Sequence, residues 1–136
     1  MVMEIRAYQK DSGMQDFRRL AVWHKAHACF LAFHRAFGTG ATNTAFGLRS
    51  QVLRAAASIS ANIAEGCEKS STKEYLRFLE IAIGSARELE NHLIGAFDLG
   101  LVSADKHGEL ESLLTEVIRM LVGMIRGLKS QAPRTV

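Results

Sequence analysis

The sequence predicts an all-α protein, an antiparallel up-down four-helix bundle, and three observations point to it. Apolar residues recur at intervals of three and four along four separate stretches. The single proline, Pro133, lies near the end, so none of those stretches is interrupted by a residue that lacks the amide a helix needs. Glycines and short polar clusters stand between the stretches, where a chain must turn. At 136 residues there is room for one hydrophobic core. With 48% hydrophobic and 23% charged residues, the composition is that of a folded domain, not of a disordered, charge-rich chain.

Residues 1–15 carry no sustained period and read as a flexible lead-in, residues 16–130 as the bundle, and residues 131–136 as a tail. The first helix opens at Asp16, a capping residue, and runs through Leu20, Trp23, Phe30, Leu31 and Phe37 to Gly38. After a loop ending in Thr42 and Asn43, the second carries Leu48, Val52, Ala55, Ala56, Ile59 and Ile63 and closes at Gly66. Ser71 with Glu74 forms a capping box for the third, whose stripe is Tyr75, Phe78, Leu79, Ala82, Ala86, Leu89, Leu93 and Phe97, with Gly100 as its stop. Ser103 or Ala104 opens the fourth, with Leu110, Leu113, Leu114, Val117, Ile118, Leu121, Met124, Ile125 and Leu128. The short connections around helices two, three and four force antiparallel neighbours.

The formal charge of +3 permits an anionic partner without requiring one. Placement is more informative: after Glu116 no acidic residue follows, whereas Arg119, Arg126, Lys129 and Arg134 do. That asymmetry complements the helix dipole as well as it suits a polyanion. Cys29 and Cys67, the only cysteines, show no CxxC pair or disulfide framework and fit a reducing cytoplasm. No apolar run reaches the roughly 18 residues of a membrane span, so no membrane role is expected.

On helix two, Gln51, Arg54, Ser58, Asn62 and Glu65 fall within one narrow arc beside the apolar stripe, at roughly 100° per residue. Together they offer donors and acceptors enough to satisfy one another in a partly buried seam. Glu88 and Glu90 on helix three are the acceptors the sequence offers to Arg54, with Glu90 at the margin of its stripe. The seam reads either as a network fixing helix register or a subunit interface, or as a ligand or partner site. Ala57, Ala61 and Ala64 leave the far side of that helix open to close approach.

Among the histidines, His27 and His34 lie two turns apart on the apolar face of helix one, and His24 points elsewhere. A metal site wants ligands one turn apart with a third nearby, so no metal or other cofactor is expected, and these read as hydrogen-bonded core or interface residues. There is no Ser/His/Asp arrangement, no phosphate loop after a strand and no Glu-x-x-His motif, so the reading is non-enzymatic.

The run Gln51-Val-Leu-Arg54-Ala-Ala-Ala-Ser58-Ile-Ser-Ala-Asn62-Ile-Ala-Glu65-Gly66 resembles the signature of the 23S ribosomal RNA intervening-sequence proteins. Phe17, Leu20, Val22, Trp23 and Ala26 resemble that family's opening helix, and Tyr75, Phe78, Leu79, Ala82, Gly84, Ser85, Glu88, Leu89 and Glu90 its third. The resemblance implies a bacterial four-helix bundle forming a homopentameric ring, similar to the accessory variability protein of diversity-generating retroelements. Those relatives associate with nucleic acid and a reverse transcriptase. Leu53 stands where the family often has a second basic residue before Arg54, so one cation of that pattern is missing.

These lines converge on a cytoplasmic, self-assembling scaffold that holds RNA or DNA through its phosphates, using Arg18, Arg19, Lys25, Arg35, Arg119, Arg126 and Lys129. The same residues also fit solvated helix faces. A protein-binding adaptor is the alternative from another class, and a small-molecule or metal bundle the third.

Overall fold

The computed structural model describes residues 16–38 and 46–131, and the expected lead-in (1–15), most of the first loop (39–45) and the tail beyond Gln131 lie outside them. The described residues form four α-helices and no strand: α1 (Ala21–Phe37), α2 (Phe46–Cys67), α3 (Thr72–Asp98) and α4 (Ala104–Gln131). α1 packs on α2 and α4, and α3 packs on the same two, so the four helices enclose one core.

Asp16 does not cap α1. Its carboxylate accepts from the Arg18 amide at 3.0 Å and closes a single 3₁₀ turn, Phe17–Arg19. Leu20 follows in extended conformation, fully buried, and α1 starts after it. The buried face of α1 is Val22, Ala26, Cys29, Phe33 and Phe37, whereas Trp23, Phe30 and Leu31 are half-buried at its margin. The first half of that face is built from small side chains, Val22, Ala26 and Cys29, and the second from the rings of Phe33 and Phe37.

In α2 the expected stripe is buried at Val52, Ala55, Ala56, Ile59 and Ile63, and Leu48 at its start is half-buried. Gly66 does not stop the helix; α2 continues through Cys67, and Gly66 is itself buried. A Cβ placed at Gly66 would lie 2.7 Å from Phe78 Cβ and 3.1 Å from Tyr75 Cδ1. The glycine therefore permits a close crossing of α2 and α3, and a short turn leads straight on, the Lys69 amide donating to the Gly66 carbonyl at 3.0 Å.

Ser71 Oγ accepts from the Glu74 amide at 3.1 Å and caps α3, but the Glu74 carboxylate turns to Arg77, so only half of the capping box forms. The expected α3 stripe is buried as far as Leu93, after which Ala96 takes the core position and Phe97 is 39% exposed. Gly100, at φ +73°, ends the helix: its amide donates to Phe97 O and the Leu101 amide reaches Ala96 O, both at 2.9 Å. This Schellman arrangement needs left-handed backbone, which glycine adopts without steric cost. Ser103 Oγ accepts from the Lys106 amide at 3.1 Å and opens α4, whose buried stripe is the expected one except for Leu113, half-buried. Each fully buried Leu or Ile of this core is worth about 1.5–3 kcal/mol of transfer free energy, offset by the entropy of ordering it.

Candidate nucleic-acid interface

The polar seam of α2 divides into an inner and an outer part. Ser58 Oγ meets Ser85 Oγ of α3 at 2.8 Å, and Asn62 Nδ2 donates to Ser58 Oγ at 3.0 Å and to the Ser58 carbonyl at 2.8 Å. These half-buried groups satisfy one another and pin the register of α2 on α3. Gln51, Arg54 and Glu65 form the outer part and are exposed.

Arg54 and Glu90 do not pair. Glu90 stands five positions after Ser85, about 140° around the helix, so with Ser85 facing α2 the Glu90 side chain points away from it. Arg87 Nη1 donates to Glu90 Oε1 at 3.0 Å instead. Glu88 lies on an exposed position, 3.3 Å from the His92 ring nitrogen. The acceptor the sequence reading missed is Ser85; it was among the residues of the family resemblance, yet nothing in its type marks it as the partner of Ser58.

The seven cations divide among several surfaces. Lys25 from α1 and Arg119 from α4 line one groove, together with Ser112, Thr115, Glu111 and Glu116. Arg126 and Lys129 line another, on a floor of Ile83, Val122 and Ile125, with Glu80 opposite. Arg119 and Arg126 are seven residues apart, two turns, and so share one face of α4. Arg119 donates to Glu116 at 2.8 Å, and Lys129 lies 3.8 Å from Glu80. At the start of the described chain Arg18 Nε donates to Asp16 at 2.9 Å and lies over the Phe17 ring. That bond, with the one from the Arg18 amide, holds the Asp16 carboxyl below its usual range, and the side-chain bond, together with the Asp16 charge, raises the Arg18 guanidinium. Arg19, Lys25, Arg35 and Arg126 are without an ion pair among the described residues. The α4 sequence is polarised, with Asp105, Glu109, Glu111 and Glu116 against one base, Lys106, in its first half, and Arg119, Arg126 and Lys129 with no acid in its second.

The helix-one histidines stack, and only His24 is hydrogen-bonded. His27 lies face to face with Trp23 at 4.8 Å, and His34 with Phe30 at 5.8 Å, in a column that continues through Phe17. His24 Nε2 donates to the Arg18 carbonyl at 2.6 Å. Among the described residues no three His, Cys, Asp or Glu side chains converge as a metal site would require, and no helix is long and apolar enough to cross a membrane. Burial pushes the Cys29 thiol up to about 12, which keeps it protonated and a poor nucleophile. Ile94, in the last turns of α3 (52%), and Leu99, in the α3–α4 turn (70%), are exposed, an apolar tip that helical periodicity did not reveal.

Four helices around one core, with a polar seam that fixes the register of two of them and surface grooves lined by charges of both signs, define the class: an all-α four-helix protein. Within that class, the chain belongs to the 23S rRNA-intervening sequence protein family, whose family model matches residues 18–123. No curated protein matches the chain closely enough to count as a relative.

Proposed function

We propose that this protein is a cytoplasmic, homo-oligomeric scaffold that binds RNA or DNA through the phosphate backbone. The observation that carries this reading is the groove where Lys25 and Arg119, from different helices, come together, continued along the same face of α4 by Arg126 in a segment with no acidic residue of its own. Contacts of this kind release counterions, so affinity falls steeply with salt. Fluorescence anisotropy with a labelled oligouridylate and a labelled DNA duplex tests it: binding at low salt that weakens as salt rises is expected, and no binding at low salt, or binding indifferent to salt, refutes it.

The helices run antiparallel in this reading, supported by the pairs Glu80–Lys129 and Phe97–His107, in which partner numbers fall on α4 as they rise on α3. Self-assembly, into a pentameric ring by the family resemblance, is supported by a face of α2 and α3 where Ala57, Ala61 and Gly84 are exposed beside Ile81, itself 40% exposed. Light scattering on the purified chain measures the assembly. The exposed tip around Leu99 favours a second reading, a protein-binding adaptor, for which a reverse transcriptase is the partner the resemblance suggests. A partner retained after nuclease treatment and lost in Leu99→Ser supports the adaptor over the nucleic-acid reading.

A further inference from the structure

Of the three carboxylates that line the two grooves, Glu80, Glu111 and Glu116, two are paired with a cation. Glu116 Oε2 holds Arg119 Nη1 at 2.8 Å, and both side chains line the groove that Lys25 shares. Glu80 Oε2 reaches across from α3 to Lys129 Nζ at 3.8 Å, beside Arg126. Glu80, Arg119 and Lys129 are exposed and Glu116 partly so, so water and salt screen the pairs and they open at small cost. A phosphate approaching Arg119 or Lys129 thus meets a cation already engaged, and must expel a carboxylate that stays nearby and repels it.

We propose that Glu80 and Glu116 are built-in competitors for the phosphodiester backbone, each withholding one cation and so setting both the affinity and its salt dependence. This rests on the nucleic-acid reading above. The physical argument is counterion accounting: a cation neutralised by its own carboxylate displaces fewer counterions from a polyanion than a free one. Replacing the carboxylate by its amide frees the cation while preserving shape. Each freed cation then acts as about one more phosphate contact, steepening the log–log salt slope by roughly 0.7 on a single strand and 0.9 on a duplex.

The experiment uses the full chain as wild type, Glu80→Gln, Glu116→Gln and the double variant. Glu74→Gln serves as control, because it makes the same change in net charge and frees Arg77, 3.3 Å away on another part of α3. Labelled oligouridylate and labelled DNA duplex are titrated in parallel across a salt series, and the probe that binds more tightly identifies the nucleic acid. We expect each of the two substitutions to tighten binding about two- to five-fold at low salt, the scale of an exposed ion pair. The double variant should show the product, and Glu74→Gln neither the gain nor the steeper slope. If all three single variants tighten binding alike, only net charge matters and the proposal is overturned. Wild-type binding that Glu80→Gln and Glu116→Gln leave unchanged also overturns it while sparing the nucleic-acid reading. Failure of both wild type and double variant to bind overturns that reading and the proposal together.

Discussion

Replacing one hydrogen by a methyl group has opposite expected signs at different glycines of this fold. A glycine inside a helix is less favourable than alanine by about 0.5–1 kcal/mol, so substitution stabilises wherever the methyl has room. At Gly95 and Gly108 it has room, with no heavy atom within 4 Å of the new Cβ. At Gly66 the new Cβ falls 2.7 Å from Phe78 Cβ and 3.1 Å from the ring of the fully buried Tyr75. Ordinary carbon–carbon contact is about 3.5–4.0 Å, so α2 and α3 must part by roughly an ångström. Phe78 Cβ is fixed to the α3 backbone and cannot swing aside. Overpacking of this kind costs about 1–3 kcal/mol, which exceeds the helix-propensity gain and leaves Gly66→Ala destabilised by about 1–2 kcal/mol. Urea denaturation followed by circular dichroism, at fixed protein concentration because assembly contributes to stability, measures all three variants. For a chain of this size the same loss lowers the melting midpoint by about 3–10 °C. A Gly66→Ala variant at least as stable as wild type, or a common sign for all three, would refute the close-crossing argument.

The hydrogen bond between Ser58 and Ser85 should appear as a coupling of about 0.5–1.5 kcal/mol in a double-mutant cycle with alanine, measured by the same denaturation; strict additivity would mean that the two hydroxyls act independently. For Cys29, the unfolded thiol ionises near 8.5 and the folded one at about 12, so its contribution is complete below about pH 8.5 and is lost as pH rises towards 12. Stability of the wild type should therefore fall by up to about 1.4 kcal/mol per pH unit more steeply than that of Cys29→Ala across that window; parallel pH profiles would contradict the burial argument.

The helices were legible because four stripes of apolar residues at helical spacing leave few alternatives, and the stops at Phe37 and Asp98 were marked by Gly38 and Gly100. Finer features depended on packing. Asp16 has the chemistry of a helix cap, yet burial of Leu20 in extended backbone inserts a break that no propensity shows. Gly66 has the look of a stop signal, and only the proximity of Phe78 turns it into a crossing point. The seam on α2 could be projected from periodicity, but choosing Ser85 over Glu90 as its partner requires knowing which flank of α3 meets α2. Glu116 with Arg119 follows the three-residue spacing of a helix pair and could have been read directly. Glu80 with Lys129 joins two helices and could not.

The segregation of charge along α4 affects more than its end caps. Its 28 residues extend about 42 Å, with acids gathered towards one end, where Lys106 is the one base, and bases towards the other, giving the side chains an electric moment opposed to that of the peptide groups. Within a Debye length of a strongly charged surface such a helix contributes a torque before any contact is made. Under the proposed function, that pull turns the basic end of α4 towards the phosphates, so fewer encounters are wasted on unproductive approach angles.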